Sequence, residues 1–188
     1  MYRHQKPVPC CFVLALALRV AYVLALPDQT TFPDESRFLH AAASFARDFS
    51  LNSGKLAHDM PLMGVVNGLV LLCGGGLTAI RLLQALGSAL LVPVVCALAA
   101  RIQPGDASRW FAGLVTACYP FFIFYSGTVL SETWFILFTA AFFLSLARLD
   151  GQAKGMADNL GSGQRVGMLG LMAGLAHLTR PTLIYFLP

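Results

Sequence analysis

Long apolar runs separated by short polar segments make up most of this chain. Crossing a hydrocarbon core of about 30 Å takes about 20 helical residues. By that measure the runs predict five transmembrane helices, at about residues 8–26, 77–100, 110–125, 132–149 and 166–187, the last interrupted at residues 179–181. The apolar positions are continuous rather than alternating, which favours helices over a β-barrel. The first run follows a basic start, as a signal peptide does, but its length and the arginine inside it favour a membrane span.

The segment between the first two predicted spans, residues 27–76, has a different pattern and predicts two surface helices. Within residues 31–49 the apolar side chains recur at the spacing of one helix face, at Phe38, Ala42, Phe45 and Phe49. Polar side chains fill the other face, as in a helix that lies on a membrane surface. Residues 60–73 are apolar but too few to cross the membrane, so we expect a second surface or partly embedded helix there.

The composition also indicates a membrane protein. Of 188 residues, 57% are hydrophobic and only 12% are charged, whereas a soluble domain carries about 25% charged residues. We therefore predict an all-α integral membrane protein. The net charge of +4 is not concentrated in a basic cluster, which argues against a nucleic-acid partner. The cysteines form no CxxC pair, and His40, His58 and Asp59 lack a ligand spacing, so we predict no metal site.

The distribution of basic residues predicts the orientation in the membrane. With the N-terminus in the cytoplasm, seven basic residues lie in inner segments and four in outer segments, in agreement with the positive-inside rule. The inner ones are Arg3, Lys6, Arg101, Arg109, Arg148, Lys154 and Arg165, and the outer ones are Arg37, Arg47, Lys55 and Arg81. The prediction is a multi-pass protein of the plasma (inner) membrane, with five of the nine acidic residues in an extracytoplasmic loop. Arg19, inside the first span, should either face the bundle and have a partner or extend towards the membrane surface.

Four short motifs resemble those of the C-type (GT-C) membrane glycosyltransferases. They are PDESRF at residues 33–38, HDMP at 58–61, the YS and SE pairs at 125–126 and 131–132, and GLAHLTRP at 174–181. The branch they resemble is the protein O-mannosyltransferase-like group that includes the aminoarabinose transferases. The motifs occur in the family's order and cover essentially all of the chain. They correspond to only the N-terminal part of the family's fold, so we expect a truncated member with a GT-C-like bundle.

The resemblance implies a chemistry. Members take a sugar from a polyprenyl-phosphate carrier and pass it, with inversion, to a hydroxyl on a lipid, glycan or protein acceptor at the extracytoplasmic face. By resemblance, Asp34 is the general base and Glu35 orients Asp34 or the acceptor. Arg37 and Arg180 are candidates to bind the phosphate, and Glu132 is a supporting acid in the substrate site. A divalent cation is compatible with this assignment, and no other cofactor is expected.

Two departures and several alternatives remain open. Phe38 stands where the family commonly has tyrosine, and residues 58–60 lack the lysine of the aminoarabinose transferases, so a lipid A substrate is not supported. Asp34 could simply cap a surface helix, Arg37 could pair with it, Glu132 could satisfy the start of a span, and Arg180 could make a structural ion pair. The alternative function is a small non-catalytic polytopic protein: a carrier, a flippase-like subunit or an inactive transferase fragment.

Overall fold

The computed structural model describes residues 7–50, 60–153 and 161–182. Within these ranges the protein contains eight helices and no strand, so the all-α prediction is confirmed. The helices are α1 (Pro7–Ala25), α2 (Pro33–Asp48), α3 (Pro61–Leu72), α4 (Leu77–Ile102), α5 (Asp106–Cys118), α6 (Pro120–Ser126), α7 (Glu132–Ala153) and α8 (Ser162–Thr179). His58 and Asp59, from the second motif, lie outside the described residues.

Helix α4 lies at the centre of the bundle and contacts α1, α5, α6 and α7. The side chains that α1 buries are spaced four residues apart, at Pro7, Cys11, Ala15, Arg19 and Val23. Small side chains on such a stripe let helix backbones approach closely. The approach is tight at Gly113 of α5, where an added Cβ would lie 2.9 Å from the sulfur of Cys11.

Contacts between helices show that α1 and α4 are antiparallel. Arg19, in the second half of α1, binds Ser88 in the first half of α4. Cys11, near the start of α1, shares an apolar cluster with Cys96, near the end of α4. Helices α5 and α6 then run back beside α1, because the Ser88 hydroxyl donates to the carbonyl of Phe122 in α6.

The last two helices continue the alternation. Trp134, near the start of α7, lies against Gly87 in the first half of α4, and Arg148 and Arg101 line one cleft near the ends of α7 and α4. Helices α7 and α4 are therefore parallel. Helix α8 runs antiparallel to α7, since residue 180 directly after it is bonded to residue 132 at the start of α7. The described segments α1, α4, α5 with α6, α7 and α8 therefore run in alternating directions along the bundle.

Arg19 compensates for the break between α5 and α6. Pro120 separates α5 from α6, and because proline has no N–H, the carbonyl of Thr116 four residues earlier loses its helical donor. One guanidinium nitrogen of Arg19 donates to that carbonyl at 3.0 Å, and another donates to the carbonyl of Ala117 at 3.0 Å. The side chain is fully buried. Of the two alternatives for Arg19, the structure shows the one in which it faces the bundle.

Helices α2 and α3 pack against each other as a hairpin and correspond to the two helices predicted between the first two spans. Gly68 of α3 sits against α2 so closely that an added Cβ would lie 2.6 Å from a ring carbon of Phe45 and 2.9 Å from the carbonyl oxygen of Ala42. Phe38 and Met63 join the hairpin to Ile80 of α4 in one apolar cluster.

Among the residues that the structure describes, three helices are long and apolar enough to cross a membrane: α1, α4 and the 132–149 part of α7. In the most apolar 18-residue stretch of each helix, only 22–44% is buried inside the protein. Much of their apolar surface is therefore left for lipid. The chain is accordingly a membrane protein. The predicted span at 110–125 is broken by Pro120, and α8 ends at Thr179, before Pro181. The count of five spans stays a prediction.

Candidate functional site

Glu35 fixes the start of α2. Its side chain is fully buried, and its carboxylate accepts three backbone hydrogen bonds, from Thr31 at 2.6 Å, Phe32 at 3.2 Å and Val129 at 2.8 Å. The first two close the helix start as the acidic half of a capping box does. The third joins α2 to the segment before α7. Backbone donors and the positive end of the helix dipole stabilise this buried carboxylate.

The segment that leads into α2 is also held from the other side. Arg81, buried in α4, donates to the carbonyls of Pro27 at 2.7 Å and Gln29 at 2.8 Å. Thr78, one turn earlier, donates to Asp28 at 3.3 Å. The segment between α1 and α2 is therefore bound to α4 through Arg81 and to α2 through Glu35. This arrangement gives α2 a defined start relative to the bundle.

Asp34, the residue before Glu35, faces the opposite way. Its side chain is 66% exposed and lies 3.2 Å from a guanidinium nitrogen of Arg37, one turn along the same helix. An exposed pair of this kind contributes less than about 1 kcal/mol to stability. The carboxylate of Asp34 is therefore accessible to solvent. The position of its helix is fixed by the adjacent residue, Glu35.

Glu132 and Arg180 form a second ion pair at 3.1 Å. Glu132 is the first residue of α7. Arg180 follows the last residue of α8 in extended conformation, as is usual for a residue before proline. Their side chains are 24% and 37% exposed, respectively. The pair ties the start of α7 to the end of α8 and leaves part of the guanidinium accessible.

The structure brings the five predicted site residues to one end of the bundle, where α2 and α7 begin and α8 ends. Glu35 links their backbones, because it binds Val129, three residues before Glu132. The side chains form two separate pairs, Asp34 with Arg37 and Glu132 with Arg180. Glu35 belongs to neither, since both its oxygens are bonded to backbone N–H groups. Its carboxylate is therefore directed at the backbone.

This end of the bundle carries solvent-accessible carboxylate and guanidinium groups, as at Asp34 and Arg37. Among the described residues, no group of three or more histidine, cysteine, aspartate or glutamate side chains could hold a metal ion. His40 is exposed on α2. A carboxylate and a guanidinium can together accept a proton and bind a phosphate oxygen.

Sequence analysis assigned no role to Arg81, which proves to hold the entry to α2. The sequence pattern that marked Arg19 also applies to Arg81, because an arginine within an apolar helix needs a partner. The carbonyls of residues 27 and 29 that serve as partners carry no sequence signal.

No protein-family model matches the chain, and no curated protein or solved structure matches it. The resemblance to GT-C glycosyltransferases therefore rests on the motifs in the sequence.

Proposed function

We propose that the chain belongs to a membrane glycosyltransferase that moves a sugar from a polyprenyl-phosphate carrier to a hydroxyl acceptor at the extracytoplasmic face. The observation that carries the proposal is the exposed carboxylate of Asp34, on a helix start held in place by Glu35, beside Arg37 and at the same end as Arg180. Removing a hydroxyl proton requires a general base within hydrogen-bond reach, and a carboxylate can serve as one. Stabilising a departing phosphate requires a cation, for which the arginine fork is well suited.

The reaction follows from these groups in one displacement. The acceptor hydroxyl gives its proton to Asp34 while its oxygen attacks the anomeric carbon of the sugar. The bond from that carbon to the phosphate oxygen breaks, and its electron pair leaves with the polyprenyl phosphate. The phosphate gains one negative charge, which Arg37 or Arg180 stabilises. Attack opposite the leaving group inverts the configuration at the anomeric carbon.

In this proposal the acidic residues have different roles. Asp34 touches the acceptor, whereas Glu35 is a positioning residue that acts through the backbone. Arg37 exchanges its bond to Asp34 for the phosphate when the donor binds. Arg180 is held by Glu132 on one side and can present its exposed part to the same phosphate.

A second candidate is a non-catalytic membrane protein, such as a carrier or an inactive transferase fragment. It is favoured by the fact that Arg37 and Arg180 each have a carboxylate partner already, so that the charges are balanced without a substrate. A cleft of about 830 Å³ also lies at the opposite end of the bundle from Asp34.

The test compares two carboxylates of α2. Asp34 and Asp48 have similar exposure, 66% and 61%, and each lies 3.2 Å from an arginine. The full-length protein in membranes would be given undecaprenyl phosphate carrying labelled mannose, glucose or arabinose, and released undecaprenyl phosphate would be measured. We expect Asp34→Asn to lower release about 100-fold or more, as for loss of a general base, and Asp48→Asn to leave it unchanged. No release by the unmodified protein would favour the non-catalytic candidate, whereas equal release by all three proteins would show that Asp34 is not the base.

A further inference from the structure

A cleft of about 830 Å³ opens at the end of the bundle opposite Asp34. Its walls come from α1, α4 and α7 and are mostly apolar, with Phe12, Leu90, Pro93 and Leu144 among the lining residues. Three arginines from three helices also line it: Arg101, Arg109 and Arg148. Apolar walls with a few convergent polar groups are the usual composition of a ligand site, and the volume is within the usual range.

The charges at this cleft are only partly balanced. Arg109 pairs with Asp106 at 3.4 Å, and Arg101 and Arg165 also have interaction partners. Arg148 is half-buried, and no hydrogen bond or ion pair joins it to another described side chain. Arg165 of α8 lies beside Arg148, since both line a small gap between α7 and α8. A guanidinium that has no partner among the described side chains and lies next to an apolar cleft indicates a site for an anionic group.

The length of the cleft matches that of an acyl chain in one leaflet of a bilayer. Its lining residues on α4 run from Leu90 to Arg101, which is about 16 Å at 1.5 Å per residue. One leaflet of a bilayer has an apolar thickness of about 15 Å, half of the hydrocarbon core. The arginines lie at the end of the cleft where the headgroups of that leaflet would be. An acyl chain along the apolar walls would therefore place its phosphate beside Arg148.

We propose that this cleft binds one anionic phospholipid of the leaflet opposite Asp34. The guanidinium of Arg148 binds the headgroup phosphate, and the walls from α1, α4 and α7 hold an acyl chain. Basic pockets between transmembrane helices bind anionic lipid headgroups by this combination of charge and shape. The proposal is independent of sugar transfer, because the cleft lies at the other end of the bundle and the test measures lipid retention.

The test is native mass spectrometry of the full-length protein in non-ionic detergent, with phosphatidylglycerol or phosphatidylcholine of the same acyl chains added. We expect one retained phosphatidylglycerol and about a tenfold preference for it over phosphatidylcholine. Arg148→Gln should reduce that preference at least fivefold. Ala97→Phe, which fills the cleft and keeps its charges, should reduce retention of both lipids. Arg47→Gln, an exposed arginine on α2 already paired with Asp48, is the matched control and should bind as the unmodified protein does.

Circular dichroism and size-exclusion chromatography would confirm that each variant is folded before the comparison. Equal retention of the two lipids, or a preference that survives both cleft variants, would overturn the proposal. So would a dimer that is lost in Ala97→Phe without any lipid preference, since the cleft would then be an interface between two copies of the chain.

Discussion

The carboxylate of Glu35 accepts the backbone N–H of Val129 at 2.8 Å, across 94 residues of sequence. This bond joins the first turn of α2 to the segment that leads into α7. The two ion pairs of the candidate site lie on either side of it, because Asp34 precedes Glu35 and Glu132 follows Val129 by three residues. The relative position of the two pairs therefore depends on a carboxylate that takes part in neither.

Removal of this bond should destabilise the fold. Glu35→Ala leaves the buried N–H of Val129 without its acceptor, and we expect a loss of about 3 kcal/mol. Glu35→Gln keeps one acceptor oxygen but turns an NH2 group towards the remaining N–H donors, so it should lose about 2 kcal/mol. The free energy of unfolding would be measured by titrating detergent-solubilised protein with denaturing detergent. Equal stability of the alanine and glutamine variants would show that the hydrogen bonds to this side chain do not hold the site together.

Arg19 and Pro120 should be energetically coupled. Arg19→Leu leaves the carbonyl of Thr116 without a donor inside the bundle, which we expect to destabilise the protein by about 3 kcal/mol. Pro120→Ala supplies a backbone N–H that can bind this carbonyl. The double variant should therefore lose about 1 kcal/mol less than the sum of the two single variants. A double-mutant cycle on unfolding free energies measures the coupling, and strict additivity would contradict it.

Exchange of the charges in the second ion pair separates structure from substrate binding. Glu132→Gln and Arg180→Gln should each lower stability by less than about 1 kcal/mol, because the pair is partly exposed. The swapped protein, with Glu132→Arg and Arg180→Glu together, should regain that stability. If Arg180 binds the donor phosphate, sugar transfer by the swapped protein should stay about tenfold or more below normal. Recovery of transfer together with stability would show that Arg180 is only a structural partner.

Much of the fold follows from local patterns in the sequence. The apolar stripe through Phe38 and Ala42 predicted α2, and the short apolar segment after residue 60 predicted α3. Proline positions account for the differences, since Pro120 divides a predicted span and Pro181 follows the end of α8. The loss of a single backbone N–H does not change the hydropathy pattern, so the break at Pro120 was not predicted.

The candidate site was predictable in part. Motifs and charge placed Asp34, Arg37, Glu132 and Arg180 at one end, and each of the two pairs joins residues that the sequence had already marked. The bond between Glu35 and Val129 was not predictable, because its donor is a backbone N–H that lies 94 residues away in the sequence. Every residue except proline has the same backbone N–H, so the sequence does not indicate which N–H binds Glu35.

The most direct measurement is side-specific labelling of the two ends of the bundle. Gln29 and Gln103 are both exposed, one beside the candidate site and the other after α4 at the arginine-lined end. Each would be changed to cysteine in a protein whose exposed cysteines, Cys10, Cys73 and Cys118, are replaced by serine. The outer layers of the cells would be removed while the plasma membrane is left intact. A membrane-impermeant maleimide should then label the Gln29→Cys variant, and should label the Gln103→Cys variant only after the plasma membrane is permeabilised. Labelling of both from one side, or in the reverse order, would contradict an extracytoplasmic site at Asp34.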